Sequence, residues 1–368
     1  MSNPLVRLGE LGQSPWYDFI TRDLVTSGEL ARLIRDDGLL GMTTNPTIFE
    51  KAIAGGEVYD EDVRRLAAAG RTPAEIVEAV AVADVRAACD LFAPVYERTG
   101  GRDGLVSIEV PPTLADDTEG TVRGARRLWT AVDRPNAMIK IPGTRAGLPA
   151  ITRCIADGIN VNVTLLFAVP RYEEVFAAYA EGLEARITRG LPVDRVASVA
   201  SFFVSRVDTA VDPMLDRLGG PAAELRGTIA IANAAVAWRA FRRMTAQPRW
   251  TALGGRGAQV QRPLWASTST KDPRYADVHY VEALVAPDTV NTLPPETFAA
   301  YRDHGRPEVR IHAQLGVADR RLAALARLGV SLAEVTARLE EEGVRKFAAS
   351  YTSLLTGIET KMGALALK

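Results

Sequence analysis

Short apolar runs of strand length recur along the chain, at Trp16 to Ile20, Leu39 to Thr44, Leu105 to Val110, Ala137 to Pro142, Ile159 to Phe167, Val196 to Val204, Pro263 to Thr268 and Val278 to Val285. Between these eight runs the apolar positions recur at helical spacing. The clearest case opens with Thr72, Pro73 and Glu75, a capping box with proline at the first helical position, and continues through Ile76, Val77, Val80 and Leu91 to Gly100. Strand-like runs that alternate with helical stretches predict parallel pairing through helical crossovers, and eight such units fit a closed barrel better than an open doubly wound sheet. An open dinucleotide-binding sheet would also carry a GxGxxG turn after its first strand, and none occurs. The one glycine cluster, Gly254, Gly255 and Gly257, follows a helical stretch and is accounted for by a helix stop and a loop. No low-complexity linker divides the chain, and Ser331 with Glu334 opens another capped helix after the last strand. The expectation is an α/β protein, a single (β/α)8 TIM barrel domain over residues 1–368 with additional N- and C-terminal helices.

Side chains alternate across a strand, so residues of equal parity share a face, and in a barrel one face is the lumen. In the fifth run Asn160, Asn162 and Thr164 alternate with Ile159, Val161, Val163 and Leu165, which predicts three polar groups inward and four aliphatic groups against the helices. Ordinary barrel interiors favour branched apolar layers instead. The same parity groups Thr43 with Asn45, Ser107 with Glu109, Ser201 with Phe203, and Ser267 with Ser269 and Lys271. Any one of these small polar residues also serves to satisfy turn backbone. Their recurrence late in several strands favours convergence at the C-terminal mouth, where barrel enzymes assemble their sites.

Lys140 stands in the middle of the otherwise apolar run Ala137 to Pro142. Burial disfavours an ammonium, and a neutral amine has a lone pair that attacks a carbonyl to form a Schiff base. The competing reading is a structural ion pair with Glu109 or Asp18. Those two carboxylates end apolar strands, and beside a nucleophilic Lys140 they would supply a base and a second proton carrier; singly, each would serve equally as a helix cap or ion-pair partner.

Composition narrows the chemistry. Hydrophobic residues make up 47% and charged residues 24%, ordinary for a globular protein, and no apolar stretch is long enough to span a bilayer. With 44 basic against 45 acidic side chains, the overall basic excess expected of a nucleic-acid or anionic-membrane binder is missing, so an anionic partner should be small and locally held. Cys89 and Cys154 lie outside any CxxC pair, and the N-terminal MSNPLVRLGE lacks a signal-peptide core; the expected location is cytoplasmic. His279, His304 and His312 are too scattered for a ligand motif, so a histidine-built metal site is not expected and the chemistry falls to Lys, Asp, Glu, Asn, Ser and Thr; the expectation is no metal and no cofactor. Asn162-Val163-Thr164 matches a glycosylation acceptor only formally, since it falls inside a predicted strand.

The segments Gly41-Met-Thr-Thr-Asn-Pro46, Val106-Ser-Ile-Glu-Val110, Met138-Ile-Lys-Ile-Pro142 and Gly158-Ile-Asn-Val-Asn-Val-Thr-Leu-Leu-Phe167 resemble, in this order, the motifs of the transaldolase family. Leu264-Trp-Ala-Ser267 and Asn291-Thr-Leu-Pro294 extend the likeness over nearly the whole chain, nearest the longer bacterial form. The resemblance implies a class I aldolase-type barrel with its Schiff-base lysine on the fourth strand, the strand on which the independent count puts Lys140. It implies transfer of a dihydroxyacetone unit from sedoheptulose 7-phosphate or fructose 6-phosphate to glyceraldehyde 3-phosphate or erythrose 4-phosphate, in the pentose phosphate pathway. By matched position Lys140 would form the iminium and Asp18 would take the C4 hydroxyl proton. Glu109 and Thr164 would handle a water, and Asn45, Asn162 and Ser201 would hold the dihydroxyacetone hydroxyls. Related barrels that only cleave fructose 6-phosphate usually carry glutamine and tyrosine where this chain has Glu109 and Phe203. Where the better-known branch has a serine, one residue, then a phosphate-binding arginine, this chain has Ser267 and then Ser269. Arg206 still matches a phosphate-binding arginine, and Lys271 shares parity with Ser267 and would supply the second charge. The alternatives are a specialised relative acting on other sugar phosphates and a catalytically silent sugar-phosphate-binding protein. The expected partners are small-molecule sugar phosphates, with no nucleic acid and no membrane, and the expected assembly is a monomer or homodimer.

Overall fold

In the computed structural model, which describes residues 3–54 and 56–366, eight short strands pair in chain order and close on themselves. They are β1 (Gln13–Asp18), β2 (Gly41–Thr43), β3 (Leu105–Glu109), β4 (Ala137–Pro142), β5 (Val161–Leu166), β6 (Ser198–Phe203), β7 (Arg262–Ala266) and β8 (Thr289–Leu293). All pairs are parallel, β1 with β8 included, and each strand is followed by at least one helix on the outside. The protein is a (β/α)8 barrel. Additional helices precede β1 (Pro4–Glu10) and follow the last barrel helix (Ile311–Arg327 and Leu332–Ala366).

One predicted strand is corrected. Val278 to Val285 does not form the eighth strand: it folds as the helix His279–Ala283 and its flanks, and the strand that closes the barrel is Thr289–Leu293. Tyr280, Val281, Leu284 and Val285 are buried while His279 and Glu282 stay partly exposed, a spacing that a helix satisfies as well as a buried strand does. The true β8 is five residues long and contains two threonines and an asparagine, so it gives almost no apolar signal. The first strand also begins earlier than expected, at Gln13, and stops at Asp18.

The wall between β1 and β2 shows why a glycine opens the Gly41 motif. Gly41 faces the fully buried Trp16 across the sheet, and a Cβ at position 41 would lie 2.4 Å from the indole. Any side chain there would displace the largest residue of the strand. At the N-terminal end of the barrel the lumen is filled by a polar plug. Buried Arg262 donates to Ser14 Oγ at 2.7 Å and to Asp103 Oδ1 at 2.9 Å, and Asp103 also accepts from the Trp16 indole at 3.2 Å. Every member has a partner, so the charge pair is held without an unsatisfied group.

The C-terminal helix Leu332–Ala366 crosses the opposite end. Leu339, Gly343 and Phe347, four residues apart and therefore on one face, are buried against the barrel rim. Gly343 permits this approach, because a Cβ there would sit 2.9 Å from Leu165 Cδ2. Further along, Ser350 accepts a hydrogen bond from Thr47 at 2.9 Å and Lys361 pairs with Asp60 at 2.6 Å, so the helix is strapped onto the segment after β2. Among the described residues no helix is long and apolar enough to cross a membrane.

Candidate active site

The strap roofs a cavity of about 880 Å³ at the C-terminal end of the strands. Nine of the sequence-predicted residues line it: Asp18, Asn45, Lys140, Ser201, Phe203, Arg206, Ser267, Ser269 and Lys271. They come from β1, β4, β6 and the segments that follow β2, β6 and β7, so residues far apart in sequence meet because parallel strands all deliver their last residues to one mouth.

Lys140, on β4, is only 4% exposed, and its Nζ donates to the Thr44 carbonyl at 3.0 Å. β3 brings Glu109 into register beside it, and β1 supplies Asp18. Asp18 accepts from the Thr43 hydroxyl at 2.6 Å, and Thr43 lies 2.6 Å from the Thr292 hydroxyl of β8. Burial raises the Asp18 carboxyl above the ordinary range, opposed by the positive charge of Lys140 and by the Thr43 hydrogen bond. Burial likewise pushes Glu109 up to about 7, with Lys140 pulling it down and Asp18 adding to the rise. Both Glu109 oxygens are buried without a hydrogen-bond partner, so little in the fold stabilises its anion.

Two catalytic predictions are not placed in this cavity. Glu109 borders a smaller space beneath Tyr351 and Leu354 of the strap, and Asn45 lines both this space and the cavity. Thr164 is fully buried and its hydroxyl has no partner. Asn162 lies below the cavity floor, donating to Ser107 Oγ at 3.0 Å and accepting from Ser201 Oγ at 2.7 Å, which holds Ser201 in place. The two ends of the fifth run meet different surroundings. Asn160 stitches the strand entry, donating to the Pro135 and Ala137 carbonyls and accepting from Ala197 N–H. At the other end the pairing with β6 shifts between Val163 and Leu166, and Leu165 takes φ +62° and packs under the strap. A branched residue in the left-handed region is strained, as is Ser267 at φ +56°, and both lie where the strands turn into the mouth.

The phosphate-binding candidates gather on one side. The Arg206 guanidinium lies 5.0 Å from the centre of the Phe203 ring and 5.8 Å from that of Phe347 on the strap, and no carboxylate pairs with it among the described residues. Ser269 is buried and accepts a hydrogen bond from Lys271 Nζ at 2.7 Å. Lys271 does not pair with its neighbour: Asp272 bonds Arg226 and Arg274. Sequence reasoning missed the strap's share of the site, including Arg338 and Lys346, and Lys51 after β2. The signal was present, since Leu339, Gly343 and Phe347 mark a buried face and Arg338 and Lys346 flank it, but nothing local says which surface that face covers.

A family model for Transaldolase/Fructose-6-phosphate aldolase matches residues 15–358. The chain is similar to a Transaldolase of Acidothermus cellulolyticus, 52% identical over 360 residues that cover 97% of this chain and 96% of the relative. A Transaldolase of Parafrankia sp. is 50% identical over 368 residues, the full length of both. Transaldolase 1 of Streptomyces coelicolor is 52% identical over 358 residues, 96% of this chain and 93% of the relative.

Proposed function

The chain belongs to the transaldolase family, and from that premise we infer that it transfers a dihydroxyacetone unit between sugar phosphates through a Schiff base on Lys140. The observation that carries the assignment of residues is the amine itself, buried on the floor of a large cavity beside two carboxylates whose ionisation the fold disfavours. Lys140 Nζ reacts as the uncharged amine: it adds to the ketose C2 carbonyl, and protonated Glu109 gives the proton with which the carbinolamine hydroxyl leaves as water. The iminium is then the electron sink: Asp18 takes the C4 hydroxyl proton, the C3–C4 bond breaks, and its electrons form the enamine on Lys140. The aldose phosphate departs. An acceptor aldehyde is attacked by the enamine, its oxygen takes the proton back from Asp18, and water returns to release the new ketose. Asn45 and Ser201 bind the hydroxyls of the held three-carbon unit, Ser201 being oriented by Asn162, while Thr164 assists Glu109 with water. Because every residue of this scheme comes from one chain, a monomer and a homodimer would both serve. Two unpaired buried cysteines suit the reducing cytoplasm to which we assign the enzyme.

Glu109 sets a pH dependence. Its folded value near 7 keeps the acid form present at neutral pH, and the acid form is the one that can donate to the leaving hydroxyl. Formation of the borohydride-trappable adduct is therefore expected to slow as pH rises through about 7. Glu109→Gln should lower its rate about 100-fold and flatten that limb; a limb unchanged in the variant would assign it to another group.

Phe203 is expected to keep the enamine from being protonated and lost as free dihydroxyacetone, since its apolar ring lies in the cavity wall. With fructose 6-phosphate alone, Phe203→Tyr should raise dihydroxyacetone release relative to transfer, measured by coupled assay of both products.

Arg206 and Lys271 are the proposed phosphate ligands, joined by Ser267 and Ser269. An ammonium offers a point charge in place of a guanidinium fork, so Lys271→Ala should raise KM for phosphorylated acceptors about tenfold with kcat nearly unchanged. An unaltered KM removes Lys271 from the site.

A further inference from the structure

We infer that Arg226 is a positioning residue for phosphate recognition: it holds the Asp272 carboxylate away from neighbouring Lys271, leaving that ammonium free for the substrate. The inference rests on the assignment of Lys271 as a phosphate ligand. Asp272 follows Lys271 directly, and a carboxylate in that place would ordinarily capture the lysine and repel an incoming phosphate. In the structure it does neither. Arg226 Nη2 lies 2.7 Å from Asp272 Oδ2, and Arg274 donates to the same carboxylate through its backbone N–H, Nε and Nη2. These bonds, those of Arg274 foremost, hold Asp272 well below the usual carboxylate range. Lys271 turns instead to Ser269 Oγ and the cavity, and has no ion-pair partner among the described residues.

Arg226 is suited to this task by its place. Its side chain is 11% exposed and also pairs with Asp216 and approaches Asp212 Oδ2 at 3.9 Å, both on the helix Ser205–Leu218 that begins beside Arg206. A planar guanidinium holds five donors in a fixed fork and can serve several carboxylates at set angles, where a lysine offers three donors on a freely rotating ammonium. The same helix receives Tyr275, whose hydroxyl donates to Asp212 Oδ2 at 2.7 Å. His279 adds a contact to the Gly227 carbonyl at 2.8 Å. The segment carrying Ser269 and Lys271 is thus tied to the element that carries Arg206, so the two phosphate cations share one support.

The test is steady-state kinetics of the full chain with glyceraldehyde 3-phosphate and with unphosphorylated glyceraldehyde as acceptors. Arg226→Gln should raise KM for the phosphorylated acceptor about tenfold, leaving kcat and the unphosphorylated acceptor unaffected, because Asp272 then keeps only Arg274, whose 61% exposed side chain holds it weakly in water, and can turn to Lys271. Adding Asp272→Asn to Arg226→Gln should restore KM, since no carboxylate remains to capture the lysine. A double variant no better than the single one overturns the inference and leaves Arg226 as a loop tie only. Should Arg226→Gln fail to fold, Arg226→Lys takes its place: a raised KM that Asp272→Asn restores supports the inference, and a raised KM that Asp272→Asn does not restore overturns it. Lys271→Ala, run in parallel, tests the parent assignment separately, because a wild-type KM there removes Lys271 whatever Arg226 does.

Discussion

Arginine or methionine in place of Lys140 is expected to abolish transfer, by on the order of 10⁴-fold or more, the scale on which covalent catalysis is lost with its nucleophile. Arginine keeps the positive charge but stays protonated throughout the working range, and its guanidinium does not form the imine. Methionine fills similar space without charge. The pair of variants separates two roles, because the electrostatic contribution of Lys140 is to lower both Asp18 and Glu109, while its chemical contribution is the covalent bond. If charge alone mattered, arginine would retain substantial activity. Methionine should leave both carboxylates still harder to ionise and cost the fold about 1–3 kcal/mol, since it removes the donor of the hydrogen bond to the Thr44 carbonyl. Borohydride reduction in the presence of fructose 6-phosphate, followed by mass spectrometry, should place a dihydroxyacetone adduct on Lys140 of the wild-type chain and none on either variant. A wild-type chain that yields no adduct, or an arginine variant that turns over normally, removes the proposed chemistry altogether.

The legibility of this site in the sequence follows strand register. Lys140 announced itself because an amine inside Ala137–Pro142 breaks an apolar run, and strand counting put it on β4, where the structure has it. Parity worked where strands stay regular: Ser201 with Phe203 reach one cavity, and Ser107 meets Asn162 in the lumen. On β5 it holds at Asn162 and stops being readable at Leu165, where the pairing with β6 shifts, because a bulge is a property of two strands together and neither one alone encodes it. The eighth strand was hidden for a related reason. Thr289–Leu293 is held by its neighbours β7 and β1 and needs no apolar signature of its own, while the helix His279–Ala283 carries one. Least legible was the strap. Its amphipathic face predicts burial, but that Leu339, Gly343 and Phe347 roof the cavity depends on contacts with Leu165 and Arg206 more than a hundred residues earlier in the chain.

Asp18→Asn should divide the reaction at its middle, with transfer reduced about 10³-fold and iminium formation retained. In the proposed scheme Lys140 and Glu109 build the iminium, and Asp18 is required only when the C4 hydroxyl proton must leave so that the C3–C4 bond can break. Asparagine preserves size and still accepts the Thr43 hydroxyl bond through its amide oxygen, so the wall formed with Thr292 need not collapse. What it loses is the site for a proton. Borohydride should then trap the entire six-carbon phosphate on Lys140, where the wild-type chain yields the three-carbon remnant. The pH profile should change in the same direction. Burial holds Asp18 above the ordinary carboxylate range, so in the wild type the base is protonated, and cleavage lost, at a higher pH than an exposed aspartate would give. That acid limb should vanish from the residual activity of the asparagine variant. If the variant forms neither adduct, Asp18 is needed for imine formation too, and if it cleaves fructose 6-phosphate at the wild-type rate, the proton leaves by another route, with Glu109 the nearest buried carboxylate in the sheet register beside Lys140.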